Sequence, residues 1–139
     1  MNRYVRIAGF VVATLVALGS VLAFVAETGE TPSPYFKVVK LDPGDKAYLV
    51  LLSGPPETSS MRSGLVTLAP GKSIGAHNTE KYEEMLVPLE GEGELRITGQ
   101  PPVQIMPGLI TYAPSHTEHD VTNTGSKPLR YIFIVARVE

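Results

Sequence analysis

The chain has 139 residues, with 12 basic and 14 acidic side chains for a formal net charge of −2, and it contains no cysteine. This balance lacks the basic excess of a nucleic-acid-binding surface, so we expect no nucleic-acid partner. The absence of cysteine excludes disulfides, thiolate metal sites, iron–sulfur clusters and thiol catalysis. Any imidazole chemistry must therefore come from the three histidines, His77, His116 and His119. The length favours a single domain.

The N-terminal part of the chain differs in charge and hydropathy from the rest. It contains Arg3 and Arg6 and no acid, followed by an uncharged apolar run of 20 residues, Ile7–Ala26. A helix of that length is about as long as the hydrocarbon core of a bilayer is thick, which predicts one N-terminal hydrophobic α-helix. Because the run has basic residues before it and Glu27 and Glu30 after it, the positive-inside rule predicts that the C-terminal domain lies outside the cytoplasm.

Two interpretations of residues 1–26 stay open, a retained transmembrane anchor and a cleaved signal segment. A signal peptide needs an apolar core of only about 7–15 residues, and the longer run favours the anchor. Under both interpretations the protein is membrane-anchored or secreted, with its domain in the periplasm or at the cell surface. Residues 27–36 are small, polar and proline-containing, which predicts a linker before a folded domain at 37–139.

The folded domain consists of short apolar runs separated by glycine and proline, which end strands because Gly tolerates positive φ and Pro cannot donate to a ladder. We predict strands at Ala47–Leu52, Ser63–Leu68, Met85–Leu89, Glu94–Ile97, Val103–Ile105, Ile110–Tyr112, Asp120–Thr124 and Leu129–Val138. Short strands at this spacing, without helical periodicity after residue 26, predict an all-β sandwich or barrel. The weakly alternating stretch Tyr35–Leu41 is a further candidate strand, whose free edge would pair two chains as a homodimer.

Two segments of the domain hold glycine, histidine and a few other residues at fixed intervals. The first contains Gly71, His77, Glu84 and Gly91, and the second contains Gly108, Pro114, His119 and Asn123. These intervals resemble the two motifs of the cupin superfamily, and the match runs from the first glycine to the last asparagine. The short interval between the two segments, residues 92–107, is typical of compact single-domain, conserved-barrel cupins.

The resemblance implies a jelly-roll β-barrel, also described as a double-stranded β-helix, with metal ligands that point inward from facing strands. It implies His77, Glu84 and His119 as those ligands. Glu83 is the rival of Glu84, but strand neighbours point to opposite faces and the motif spacing favours Glu84. Two neutral imidazoles and one carboxylate suit a divalent ion of Fe, Mn, Ni, Co or Zn, and open coordination positions would make such an ion catalytic.

The sequence departs from the cupin motifs at two positions. Thr79 stands where the family has its second histidine, and a neutral hydroxyl is a weak ligand that could instead bond a metal-bound water. His116 stands where the family has glycine. We expect Thr79, His116, Glu83 and Tyr112 to contact the metal-bound water or the substrate. The aromatic and sulfur-containing side chains of Tyr82, Met85, Tyr112 and Phe133 either line a pocket or belong to the core.

Three functions from different classes are compatible with these features. The first is a metal-dependent enzyme, an oxygenase, isomerase or lyase, that acts on a small molecule. The second is a ligand-binding or sensory module at the membrane surface, and the third is an oligomerising accessory protein without catalysis or metal. Cupins cover so many chemistries that the fold alone does not select among them.

Overall fold

The computed structural model describes residues 36–138. The regular secondary structure in that range consists of β-strands, without a helix. The strands are β1 (Tyr48–Ser53), β2 (Met61–Leu68), β3 (His77–Asn78), β4 (Tyr82–Glu90), β5 (Gly93–Ile97), β6 (Val103–Ile105), β7 (Thr111–Ala113), β8 (Glu118–Thr122) and β9 (Leu129–Arg137). The all-β prediction is confirmed for these residues. The eight strands predicted after residue 46 are all present with ends shifted by up to three residues, and β3 was not predicted.

The predicted strand at Tyr35–Leu41 is wrong for residues 36–41, which form no strand. Phe36 and Val38 are 91% and 81% exposed, so the weak alternation buries no apolar face against a neighbouring strand. The edge on which we based a homodimer is therefore missing. The predicted N-terminal helix and anchor (1–26), and all but the last residue of the predicted linker, lie outside the described residues. Within 36–138 no helix is long and apolar enough to cross a membrane.

The strands form two antiparallel sheets, one of five strands in the order β1-β2-β9-β4-β7 and one of four in the order β3-β8-β5-β6. Apolar side chains from both sheets meet between them in a core of Val66, Leu68, Leu86, Leu95, Ile105, Val121, Leu129 and Tyr131. Because side chains alternate across a strand, the partners of these residues at i±2 also point between the sheets.

The inward-facing side chains change in character along the strands. On β8 they run from His119 through Val121 towards Asn123, and on β4 from Glu84 to Leu86. We call the end that holds Arg62, Glu84 and His119 the open end of the barrel. The end that holds Leu68, Gly91, Asn123 and Leu129 is the closed end.

The closed end is tied together by the last residue of the second motif. Asn123 is fully buried, and its side-chain nitrogen donates to the carbonyl oxygens of Leu68 and Lys127 at 2.8 Å each. Its side-chain oxygen accepts from the Gly125 amide at 2.9 Å. Its backbone oxygen accepts from the amide of Gly71, the first residue of the first motif, at 3.0 Å. The two motifs thus meet at their outer ends, and the asparagine is a structural residue.

Candidate metal site

Three side chains converge at the open end of the barrel. His77 of β3 and His119 of β8 lie directly opposite each other in the four-stranded sheet, while Glu84 projects from β4 of the five-stranded sheet. One ligand atom from each residue lies within 4.8 Å of the other two. The structure therefore brings together the three ligands that the cupin resemblance implied, from two facing sheets.

The two histidines make the same kind of backbone contact, which orients both rings. His77 Nδ1 lies 2.9 Å from the carbonyl oxygen of Gly75, and His119 Nδ1 lies 3.4 Å from that of Thr117. In each case the carbonyl belongs to the residue two positions earlier and accepts a hydrogen from Nδ1, so Nε2 of a neutral ring is available to a metal. The ring centroids are 4.4 Å apart. A carbonyl partner of this kind fixes the tautomer and the ring orientation of a metal-binding histidine.

Glu84 and His119 also contact each other directly. The carboxylate oxygen lies 3.0 Å from His119 Nε2, and the two residues are 7% and 2% exposed. The hydrogen bond to Glu84 raises the pKa of His119 and outweighs burial, which would lower it. A metal that used both atoms would displace the proton that they share. The donor set, two imidazole nitrogens and a carboxylate oxygen, fits a divalent transition metal.

The three residues lie in the wall of a cavity of about 540 Å³ between the sheets. Most of the remaining wall is apolar or aromatic, including Val50, Val66, Val121, Phe133 and Val135. A cavity of this size and lining suits a small organic molecule, held by a few polar groups that fix its orientation.

Thr79 lines the same cavity, but its hydroxyl group is engaged elsewhere. It donates to the carbonyl oxygen of Pro114 and accepts from the amide of Thr117, both at 2.9 Å, and the residue is 6% exposed. Because its hydrogen is used by a backbone carbonyl, the threonine does not donate to a metal-bound water in this arrangement. Its observed role is to hold the turn after β3 against the loop that precedes β8.

Glu83, Tyr112 and His116 are not in the cavity wall. Glu83 accepts a 3.1 Å hydrogen bond from the Tyr112 hydroxyl, which raises the pKa of that tyrosine, whose side chain is largely exposed. Glu83 and Glu84 are therefore on opposite faces of β4, as their adjacency predicts. His116 has φ of 59°, the left-handed region in which glycine is favoured, and its amide donates to the carbonyl oxygen of Glu80 at 2.8 Å.

The cavity wall includes many residues that we did not predict, among them Tyr48, Arg62 and Tyr131, beside the predicted Tyr82 and Phe133. Tyr131 is 2% exposed, and burial raises its pKa, so its hydroxyl stays neutral. Tyr131 could have been predicted from the sequence, because it lies two residues from Phe133 on the last strand and therefore shares its face. Of the other predicted lining residues, Met85 lies on the outer face opposite Tyr112.

The two facing antiparallel sheets, with inward histidine and glutamate ligands at one end, define a cupin-type β-sandwich with a candidate metal site. Residues 64–135, just over half of the chain, match the cupin domain family. The chain belongs to this family. No curated protein matches the chain in sequence.

Solved structures give the same fold. A predicted oxalate decarboxylase from Thermotoga maritima is 28% identical, with a TM-score of 0.61 over 66% of this chain and 79% of that one. The TT1209 protein from Thermus thermophilus is 25% identical, with a TM-score of 0.58 over 66% and 82% of the two chains. A Cupin 2 conserved barrel domain protein from Salinispora arenicola is 20% identical, with a TM-score of 0.62 over 75% and 91%, and is similar in fold alone.

Proposed function

We propose that this protein is an extracytoplasmic cupin that binds one divalent metal ion and binds or transforms a small molecule beside it. His77, Glu84 and His119 are the proposed ligands. The observation that carries the proposal is the convergence of their ligand atoms within 4.8 Å, in the wall of an apolar cavity of about 540 Å³. Three protein ligands leave coordination positions for substrate, as in catalytic rather than structural sites.

The side chains around the site have separate roles in this proposal. The backbone carbonyls of Gly75 and Thr117 contact Nδ1 of the two imidazoles, so Nε2 of each ring would be the atom that holds the ion. Glu84 supplies negative charge, and the apolar wall excludes bulk water, which strengthens every charge interaction inside. A bound divalent ion would supply Lewis acidity to a substrate oxygen. The nitrogen and oxygen donors suit Fe, Mn, Ni, Co or Zn.

An enzymatic function is supported by the Thermotoga maritima structure, which is that of a predicted oxalate decarboxylase. Decarboxylation is a lyase reaction, so among oxygenase, isomerase and lyase chemistry this neighbour favours the lyase. The similarity, at 28% identity, supports a class of reaction rather than the same substrate.

Metal content of the purified full chain tests the proposal. We expect close to one equivalent of metal in the wild type after loading with each candidate ion. Glu84→Gln replaces a charged ligand by a neutral amide, and we expect its metal affinity to fall by at least about tenfold. Glu83→Gln is the matched control, because the same change on the outer face should leave metal content unaltered. Equal metal in both variants, or none in the wild type, would refute the proposed site.

A metal-free ligand-binding, sensory or accessory protein is the second candidate function. The observation that favours it is the 3.0 Å contact between Glu84 and His119, which lets the two buried groups satisfy each other without an ion. Thr79 in place of the second motif histidine also removes one ligand. A wild-type chain that folds and binds small molecules but takes up no metal would select this function.

The extracytoplasmic location and membrane attachment are supported by the uncharged run at residues 7–26 and its charge asymmetry. A fusion of alkaline phosphatase to the C-terminus should be active outside the cytoplasm, and an inactive fusion would contradict the location. Carbonate extraction separates a retained anchor from a cleaved signal. A homodimer also stays a proposal, and light scattering of the full chain tests it.

A further inference from the structure

Arg62 lies in the cavity wall, in the same row of the sheet as Glu84. In the five-stranded sheet, Arg62 of β2 and Glu84 of β4 are both paired with Val135 of β9. Directly paired residues project to the same face, so all three side chains point inward. Strands β2 and β4 lie on either side of β9, so they are two inter-strand spacings apart, or roughly 10 Å. A long arginine side chain partly spans this distance.

Two contacts hold the Arg62 side chain in place. Its guanidinium carbon lies 4.5 Å from the centroid of the Tyr82 ring, and Tyr82 shares the inward face of β4 with Glu84. On the other side, a Cβ at Gly54 would lie only 2.8 Å from Arg62 Cγ, so the glycine leaves the room that the arginine stem needs. A guanidinium in cation–π contact with a ring retains N–H donors for a carboxylate.

No carboxylate within residues 36–138 forms an ion pair with Arg62, whereas Arg96 pairs with Glu94 and Arg130 with Glu90. Glu57 accepts from the amide of Ser53, the residue paired with Arg62, but it is ion-paired with Lys37. Arg62 is itself exposed, so water solvates its charge at the mouth of the cavity while no ligand is bound. A ligand that enters this largely apolar cavity and excludes that water must supply the opposite charge.

We propose that Arg62 is an anion-binding residue of the cavity, and that the ligand is a small monocarboxylate with a short apolar body. Its carboxylate would pair with the guanidinium, and its hydrocarbon part would contact Val50, Val135 and their apolar neighbours. This inference deepens the proposed function. It rests on that function for one point, that the ligand binds beside the metal. A divalent ion with two neutral imidazoles and one carboxylate carries a net positive charge, which adds to the attraction for an anion.

The test compares hexanoate with hexanamide, which has the same length and no charge, by calorimetry on the full chain with and without added metal. We expect the wild type to bind hexanoate at least about tenfold more tightly than hexanamide, as a charge-assisted bidentate pair requires. In the metal-free arm, Arg62→Gln should abolish that preference and leave hexanamide binding unchanged. Arg62→Lys should retain part of it, because it keeps the charge but loses the planar fork. Arg96→Gln, on an arginine outside the cavity wall, is the matched control and should behave as the wild type.

The metal-free arm separates this inference from the proposed function. If the chain takes up no metal but still prefers hexanoate, and loses that preference in Arg62→Gln, the proposed metal site fails and the anion site stands. If metal is bound but hexanoate and hexanamide bind equally, the anion site fails and the metal site stands. Equal hexanoate affinity in Arg62→Gln and the wild type also overturns the inference.

Discussion

The open and closed ends of the barrel use buried polar side chains in different ways. His119 and Asn123 lie four residues apart on the same inward face, and they are 2% and 0% exposed. At the closed end, the side chain of Asn123 makes three hydrogen bonds to backbone groups. At the open end, Nε2 of His119 lies 3.0 Å from another ionisable side chain, Glu84. The asparagine bonds backbone groups and holds the fold, whereas the histidine shares a proton with a second potential ligand, and a metal ion could replace that proton.

The same contrast separates two polar residues at the open end. The Thr79 hydroxyl is engaged by two backbone groups, as that of a structural residue is. Arg62 has a ring contact and no ion pair among residues 36–138. Hydrogen-bond and charge satisfaction thus separate Thr79, which is bonded to backbone groups, from Arg62, which we propose binds a ligand.

The largest effect on stability is expected from Asn123→Ala. The substitution removes the partner of the Leu68 and Lys127 carbonyls and of the Gly125 amide, and it opens a cavity at a fully buried position. We expect the free energy of unfolding to fall by about 3–5 kcal/mol, measured by chemical denaturation. Asn78→Ala is the control. Its side chain accepts one exposed hydrogen bond, from the Glu80 amide, so the expected loss is about 1 kcal/mol or less. Equal losses would contradict the contrast between the two ends.

Metal binding should stabilise the open end by a comparable amount. An ion that binds only the folded chain, at about a hundred times its dissociation constant, adds about 2.7 kcal/mol to the free energy of unfolding. Thermal unfolding with and without metal measures the gain, and a chelator should reverse it. His77→Ala should unfold at the same temperature with and without metal. A gain that persists in this variant would place the ion elsewhere.

A backbone contact at the closed end predicts a smaller loss. Gly91 has φ of 73°, and a Cβ there would lie 2.4 Å from the carbonyl oxygen of Pro128. Gly99 has φ of 80° but no atom within 4 Å of the same position. Gly99→Ala therefore measures the conformational cost alone, about 1 kcal/mol. We expect Gly91→Ala to cost about 2 kcal/mol in total, because backbone must also move. Similar losses in chemical denaturation would show that the turn adjusts freely.

The sequence was sufficient for most of the fold, because glycine and proline separate runs that alternate with period two. It failed at β3 (His77–Asn78), which is too short to show a period and exists because His77 pairs with His119 across the sheet. It also failed at residues 36–41, where alternation was present without a partner strand. The alternation of apolar and polar residues shows whether a segment is compatible with a β-strand. Whether the strand forms depends on a pairing partner that is distant in the sequence.

The candidate site was predictable only in part. The motif spacing predicted His77, Glu84 and His119 as metal ligands, and the structure places their ligand atoms together. Arg62 was not predicted, because it lies outside both motifs and reaches the site only through the register between β2 and β9. Tyr112 was predicted near the site, but its strand turns it outward, with 58% of its surface exposed. Side-chain direction across a sheet follows from register, which a single sequence does not specify.

The smallest predicted effect concerns the outer face of β4, and it tests the assignment of its two neighbouring glutamates. The Glu83 carboxylate accepts from the Tyr112 hydroxyl and so favours the neutral phenol, which raises the pKa of Tyr112. Glu83→Gln removes the charge, and we expect Tyr112 to ionise at a lower pH, followed by NMR of ring-labelled tyrosine. Glu84→Gln should leave this titration unchanged, because its carboxylate faces the cavity. If Glu84→Gln shifted Tyr112 and Glu83→Gln did not, the faces of β4 would be reversed, and with them the metal ligand.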